Sequence, residues 1–104
     1  MRVLFDQGVP EPLRNHLPRH EVRTAFELGW STLRNGELLD KAERQFEALV
    51  TTDRNLRSQQ NLADRRIAIL VLPTTSWPRL QRKLDEIAAA LDALKPGQYV
   101  ELRG

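Results

Sequence analysis

Residues 67–72 read Ile67-Ala68-Ile69-Leu70-Val71-Leu72, six apolar side chains in succession. A strand with one wet face alternates apolar and polar residues. An unbroken apolar run instead predicts a strand covered on both faces, as in the parallel sheets of α/β proteins. The run is therefore expected at the centre of such a sheet.

Four more strands are predicted on either side of it, at Arg2–Phe5, Glu21–Thr24, Ala48–Thr51 and Gln98–Leu102. Helical patterns fill the gaps. Pro10 and Pro12 suit a first helical turn, where the missing N–H is harmless, so a short helix is predicted from Pro10 to about Leu17, stopped by Pro18. Asn35 reads as an N-cap for a helix over Gly36–Phe46, with Leu38, Leu39, Ala42 and Phe46 as its apolar stripe. The clearest helix opens at Ser76 and carries Leu80, Leu84, Ile87, Ala88, Leu91 and Leu94 on one face until Lys95-Pro96-Gly97 ends it. Arg54–Arg66 is polar, with one short helix expected around Leu56–Gln60. Strands alternating with helices predict βαβ units, hence a three-layer α/β/α domain around a mostly parallel sheet of about five strands.

At 104 residues, 40% of them hydrophobic, the chain suits a single domain spanning 1–104. Cysteine is absent, which excludes disulfides, zinc-thiolate sites, iron–sulfur clusters and thiol catalysis. No stretch approaches the ~20 apolar residues of a membrane span and none resembles a signal peptide, so a cytoplasmic protein with no membrane partner is expected.

The formal charge is only +2, yet it is unevenly distributed. Residues 1–53 hold 7 Lys/Arg against 9 Asp/Glu, residues 54–83 hold 7 against 1, and residues 84–104 hold 2 against 4. The basic block comprises Arg54, Arg57, Arg65, Arg66, Arg79, Arg82 and Lys83. It is either a solvated surface or the footprint of a phosphate-bearing partner.

In an open parallel sheet, ligands bind beyond the carboxyl ends of the strands. Asp6 directly follows the first predicted strand and Asp53 lies just beyond the third, so parallel strands would put both carboxylates in one crevice. The Gly36–Phe46 helix should run antiparallel to the strand after it, which would start it near that crevice and offer Glu37, with Asp40 three residues on. Gathered carboxylates repel unless a cation or a proton intervenes. Oxygen ligands without Cys or paired His favour Mg²⁺ or Mn²⁺, whose chemistry on phosphates is hydrolysis. Asp as a turn residue and Glu as a helix-dipole partner account for the same positions without a metal.

Three segments carry a family likeness: Val3-Leu4-Phe5-Asp6, Asn35-Gly36-Glu37-Leu38-Leu39, and Leu49-Val50-Thr51-Thr52-Asp53-Arg54-Asn55-Leu56. Together they resemble the short PIN-like domains, relatives of the VapC-type toxin ribonucleases, over most of the chain. The resemblance implies a PIN-like α/β/α fold and an acidic site holding Mg²⁺ or Mn²⁺ for RNA cleavage. It makes Asp6, Glu37 and Asp53 the catalytic, metal-holding positions and implies a cognate antitoxin as partner; Asp40, on the same helix face as Glu37, is expected to support them or to bind a second metal ion. Arg54, Arg57, Arg79 and Arg82 are the candidate nucleic-acid contacts; Arg54 would either touch a scissile phosphate or pair with a carboxylate. The chain departs from the family pattern at Gln7-Gly8, Asn35 and Asn55, each of which lacks an acid found in relatives. The alternative expectation is thus a PIN-like module that binds nucleic acid or protein without turnover.

The remaining features point less sharply. Thr51, Thr52, Thr74, Thr75 and Ser76 are hydroxyls at strand ends, suited to orienting water or phosphate and equally to local capping. His16 and His20 have no metal-pair spacing. Trp30 suits an edge or a partner, and Trp77 suits packing or base stacking. Surplus apolar surface on the helix after Ser76 would suit a homodimer.

Overall fold

A computed structural model describes residues 1–104. Its five strands are β1 (Arg2–Phe5), β2 (Glu21–Thr24), β3 (Ala48–Thr51), β4 (Ala68–Val71) and β5 (Tyr99–Glu101). All pair in parallel, in the order β2-β1-β3-β4-β5. Helices α1 (Asn35–Gln45), α2 (Leu56–Gln59), α3 (Trp77–Leu80) and α4 (Leu84–Ala93) complete the fold with 3₁₀ turns at Glu11–His16 and Gln81–Lys83. No helix is long and apolar enough to cross a membrane.

The period-2 geometry of a strand divides its side chains between two cores. Val3, Phe5, Val50, Leu70 and Leu72 face a layer made of Leu13, Leu17, Leu80, Ile87 and Leu91. Leu4, Leu49, Ile69 and Val71 face Leu38, Leu39 and Ala42 of α1 and Leu56 of α2. This is the three-layer α/β arrangement, and β4 is buried along its whole length. Truncating Leu70 to Ala should cost about 2–5 kcal/mol, because close packing leaves little room for collapse.

Connections set the layers. The β2–β3 and β3–β4 crossovers use the α1 face, whereas β1–β2 and β4–β5 use the other. Because β1–β2 and β4–β5 share a face but step in opposite directions along the sheet, β4–β5 has the hand opposite to the other three. That exception to the usual uniform hand brings α4 against the first 3₁₀ turn. At the amino end of the sheet, the His20 ring lies 2.6 Å from Asp92 of α4.

Local chemistry moved three predicted boundaries. The short helix predicted from Pro10 to about Leu17 is a 3₁₀ helix over Glu11–His16, with Pro10 and Leu17 as its caps. The long helix expected after Ser76 is instead two helices joined by a 3₁₀ turn. Ser76 does cap α3, its Oγ accepting from the Arg79 N–H at 3.4 Å. Asn35 is not the N-cap of α1: Arg34 holds that place, which releases the Asn35 side chain for other contacts. Trp30 packs edge-on to Phe46 with Lys41 over its ring, and Trp77 lies against the first core.

Candidate active site at the carboxyl edge of the sheet

From β1 the chain steps to β2 over one face, and it then crosses over the other face to β3. The loops leaving β1 and β3 therefore part to opposite sides and leave a crevice between them, the topological switch point of the sheet. Asp6 and Asp53 stand at its two banks.

The register Phe5↔Val50 brings the next pair of residues, Asp6 and Thr51, level, and the Asp6 N–H continues the ladder onto the Val50 carbonyl at 2.9 Å. Thr51 is the sole polar residue among the buried ones, at 0% exposure. Its hydroxyl donates to Asp6 Oδ2 at 2.8 Å and accepts from the Asp53 N–H at 3.1 Å, so one buried oxygen spaces both aspartates. Gln7 N–H donates to Asp6 Oδ1 at 2.8 Å. Gly8, with φ of 100°, turns the loop where a Cβ would lie 3.0 Å from Thr52 Oγ1.

Asp53 is held by different donors. Its Oδ1 accepts from the Asn55 N–H at 2.9 Å, an Asx turn, and its Oδ2 accepts from Asn35 Nδ2 at 3.2 Å. The antiparallel course of α1 thus does deliver its first turn to the crevice, but with an amide rather than a carboxylate.

Burial pushes the Asp6 carboxyl above its ordinary value. The bonds from Thr51 and Gln7 oppose that shift without cancelling it, and the Asp53 charge adds to it. Neither aspartate forms an ion pair; every donor that reaches them is neutral.

The other two expected acids lie outside this pair. Glu37 Oε1 accepts from the Arg34 N–H at 3.3 Å, closing the first turn of α1, and Asp40 pairs with Arg65 at 3.0 Å. Nowhere do three His, Cys, Asp or Glu side chains converge as a metal-holding group.

Beside the carboxylates lies a basic flank. Arg54 donates to the Pro73 carbonyl at 2.7 Å and, with Arg79 and Arg103, lines a groove of about 520 Å³. A neighbouring hollow of about 290 Å³ is lined by Thr74, Arg79, Arg82 and Lys83. Arg54, Arg79, Arg82 and Arg103 make no ion pair with any carboxylate, while Lys83 reaches Glu86 at 3.6 Å. Arg57 differs: its guanidinium lies over the Tyr99 ring at 3.9 Å. The Tyr99 phenol is pushed up to about 12 by burial and by its bond to Glu101, so it stays neutral at physiological pH.

Sequence reasoning misses Arg103, although it follows the last predicted strand, where the carboxyl-edge rule points. In the sequence Thr51 is only one hydroxyl among five; its burial, which singles it out, is a tertiary fact. Comparison with family models, curated proteins and solved structures returns no match for this chain.

Chemically, the edge offers hard oxygen donors in a pair and unpaired guanidinium groups beside them. Two carboxylates suit Mg²⁺ or Mn²⁺, since Mg²⁺ is held through one or two carboxylates and keeps several waters. The Asp6 shift supports that fit: a buried anion with neutral donors alone gains from a nearby cation.

Proposed function

We propose that this chain is a divalent-metal-dependent endoribonuclease of the PIN-like kind, acting as the toxin half of a toxin–antitoxin pair. The observation that carries the proposal is the Asp6–Thr51–Asp53 bridge at the switch point, with unpaired arginines on its flank. The three-layer parallel fold is compatible with the architecture that the resemblance implies. Toxicity and an antitoxin partner rest on the resemblance alone, and an adjacent small gene encoding a DNA-binding protein would support them.

In this proposal Asp6 and Asp53 would hold Mg²⁺ or Mn²⁺, which would supply the positive charge to activate a water and to stabilise the negative charge developing on the phosphate oxygens. Two carboxylates balance one divalent ion, so the charges close without Glu37, which caps α1, or Asp40, which pairs with Arg65. Thr51 sets the spacing of the two aspartates and withdraws some of the repulsion by donating to Asp6. Arg54, Arg79 and Arg103, all on one flank of the aspartates, hold phosphates on that side of the cut, and Arg82 extends the track.

The test is cleavage of single-stranded RNA in Mn²⁺ by the purified protein beside an Asp6→Asn/Asp53→Asn variant. The expected loss is on the order of a hundredfold or more, comparable to removing a principal charge-stabilising group. Equal cleavage by the two proteins would assign the activity to a contaminant and sink the proposal.

A second reading has its own observation. Asn35 donates to Asp53 at a position where the resemblance implies an acid, so the edge has an amide in place of a third carboxylate. A binding module that retains RNA without cutting it would follow, and retained binding without cleavage in the same assay would favour it.

A further inference from the structure

Phe26 is the only exposed large hydrophobic residue of the protein, at 83% exposure. It follows β2 and therefore lies at the same edge as the aspartates. A small hollow of about 170 Å³ beside β1 is lined by Asp6, Gly8, Glu11 and Phe26 among others. Phe26 and one of the two paired carboxylates thus share a cavity.

The exposure does not come from a loose loop. Its neighbour Ala25 is buried and donates its N–H to the Phe5 carbonyl at 2.8 Å, extending the β1–β2 ladder. Trp30 N–H returns to the Ala25 carbonyl at 2.8 Å and Gly29 N–H to the Phe26 carbonyl at 3.0 Å. On the other side Glu27 accepts from the Thr24 N–H at 2.8 Å and from Arg14 at 3.2 Å. The backbone around Phe26 is pinned on both sides while its ring is left in water. A ring carried on a pinned backbone loses less conformational entropy when a flat partner covers it than one on a loose loop would.

We propose that Phe26 is a stacking platform for one unpaired nucleobase of a single-stranded RNA whose phosphate is held over Asp6 and Asp53. The proposal rests on the nuclease or RNA-binding reading above and adds which base contact that site makes. Charge decides between occupants. The arginines of the groove lie on the β4–β5 side of the aspartates, and Phe26 lies on the β2 side with acidic neighbours and no lysine or arginine among the hollow's lining residues. A polyanionic strand therefore runs its phosphates along the arginine flank and presents a base, the uncharged part of the nucleotide, to Phe26. Stacking is sequence-tolerant because every base has a π face, so Phe26 positions the strand rather than selecting a sequence.

The experiment uses the full chain with Ca²⁺ in place of Mg²⁺ or Mn²⁺, to keep a divalent ion between carboxylates and phosphate without turnover, and short single-stranded RNAs carrying 2-aminopurine at successive positions. Fluorescence quenching reads stacking and anisotropy reads affinity. One position should quench on binding; Phe26→Ala should abolish that quench and weaken binding by about tenfold, within the range for one stacked base. Phe26→Tyr should restore both. An exposed side chain leaves folding unaffected, which the circular dichroism melt of the Ala variant checks. Unchanged affinity and quenching in Phe26→Ala would overturn the platform while leaving RNA binding in place. Absence of RNA binding by the wild-type chain at low salt would overturn the underlying reading instead. If Phe26→Ala dissolves a self-association in sedimentation velocity but leaves RNA affinity intact, the ring serves a protein contact and the platform is refuted.

Discussion

Two charge clusters at opposite ends of the parallel sheet are built in opposite ways. At the amino end, Asp92 meets His20 and Arg19, and Glu43 takes Arg65 at 3.1 Å together with the Arg66 N–H. At the carboxyl end, Asp6 and Asp53 have only neutral donors, and Arg54, Arg79, Arg82 and Arg103 have no carboxylate partner. Opposite charges lie near each other on that edge without being joined. Paired charges stabilise a surface modestly, whereas unpaired ones remain available to a ligand carrying both a cation and an anion. The Asp6–Asp53 edge thus keeps its charges free of ion pairs within the chain.

The strongest way to break the comparison is metal binding. Mn²⁺ at about a hundred times its Kd should stabilise the wild-type chain by roughly 2.7 kcal/mol, seen as a rise in melting temperature. The Asp6→Asn/Asp53→Asn variant should show no such rise, and an equal rise in both proteins would place the ion elsewhere.

Next in size is the spacer. Thr51→Val removes a donor to Asp6 and an acceptor for the Asp53 N–H in a buried position, and should cost about 1–3 kcal/mol in urea denaturation. Smaller still is the salt response. Arg79→Ala and Arg103→Ala should each lower the slope of log affinity for RNA against log salt by about 1, while Arg19→Ala at the amino end should leave it unchanged.

The smallest effect sharpens the contrast by sign. Asp92→Asn removes a partner from His20 and should destabilise by about 1 kcal/mol or less. Asp6→Asn should instead raise stability at neutral pH. The folded-state value of Asp6 lies above its ordinary 3.8, so between the two the folded chain keeps a proton that the unfolded chain has lost. Stability from this group is complete below the ordinary value and is lost as pH rises through the folded one. Melting temperatures across the acidic range should show that decline in wild type and not in Asp6→Asn; parallel curves would contradict it.

Much of the architecture is legible in the order of residues. The strands at 2–5, 21–24 and 48–51 fall where predicted, and the apolar run at 67–72 contains β4 flanked by both cores. The helix expected at 36–46 differs from α1 by a single residue at either end, yet that shift decides the role of Asn35. At the site, Asp6 and Asp53 are legible from the carboxyl-edge rule alone. Glu37 and Asp40 fall on the correct helix, but their carboxylates find the Arg34 N–H and Arg65 first. Phe26 is invisible because a lone Phe beside Ala25 reads as core until burial is known.

What the amino-acid order determined by itself was everything set by local periodicity: strand and helix positions, a core on each face, and the absence of any thiol chemistry. Runs of side chains with period 2 or 3.6 have only one way to hide their apolar atoms, so pattern suffices there. Only the tertiary structure decided which polar groups meet. The β1–β3 register joined Asp6 to Thr51, and the fold left Arg103 beside Arg54 and Phe26 beside Asp6. Those encounters span up to 49 residues of chain and depend on how strands and loops pack, which no local pattern encodes.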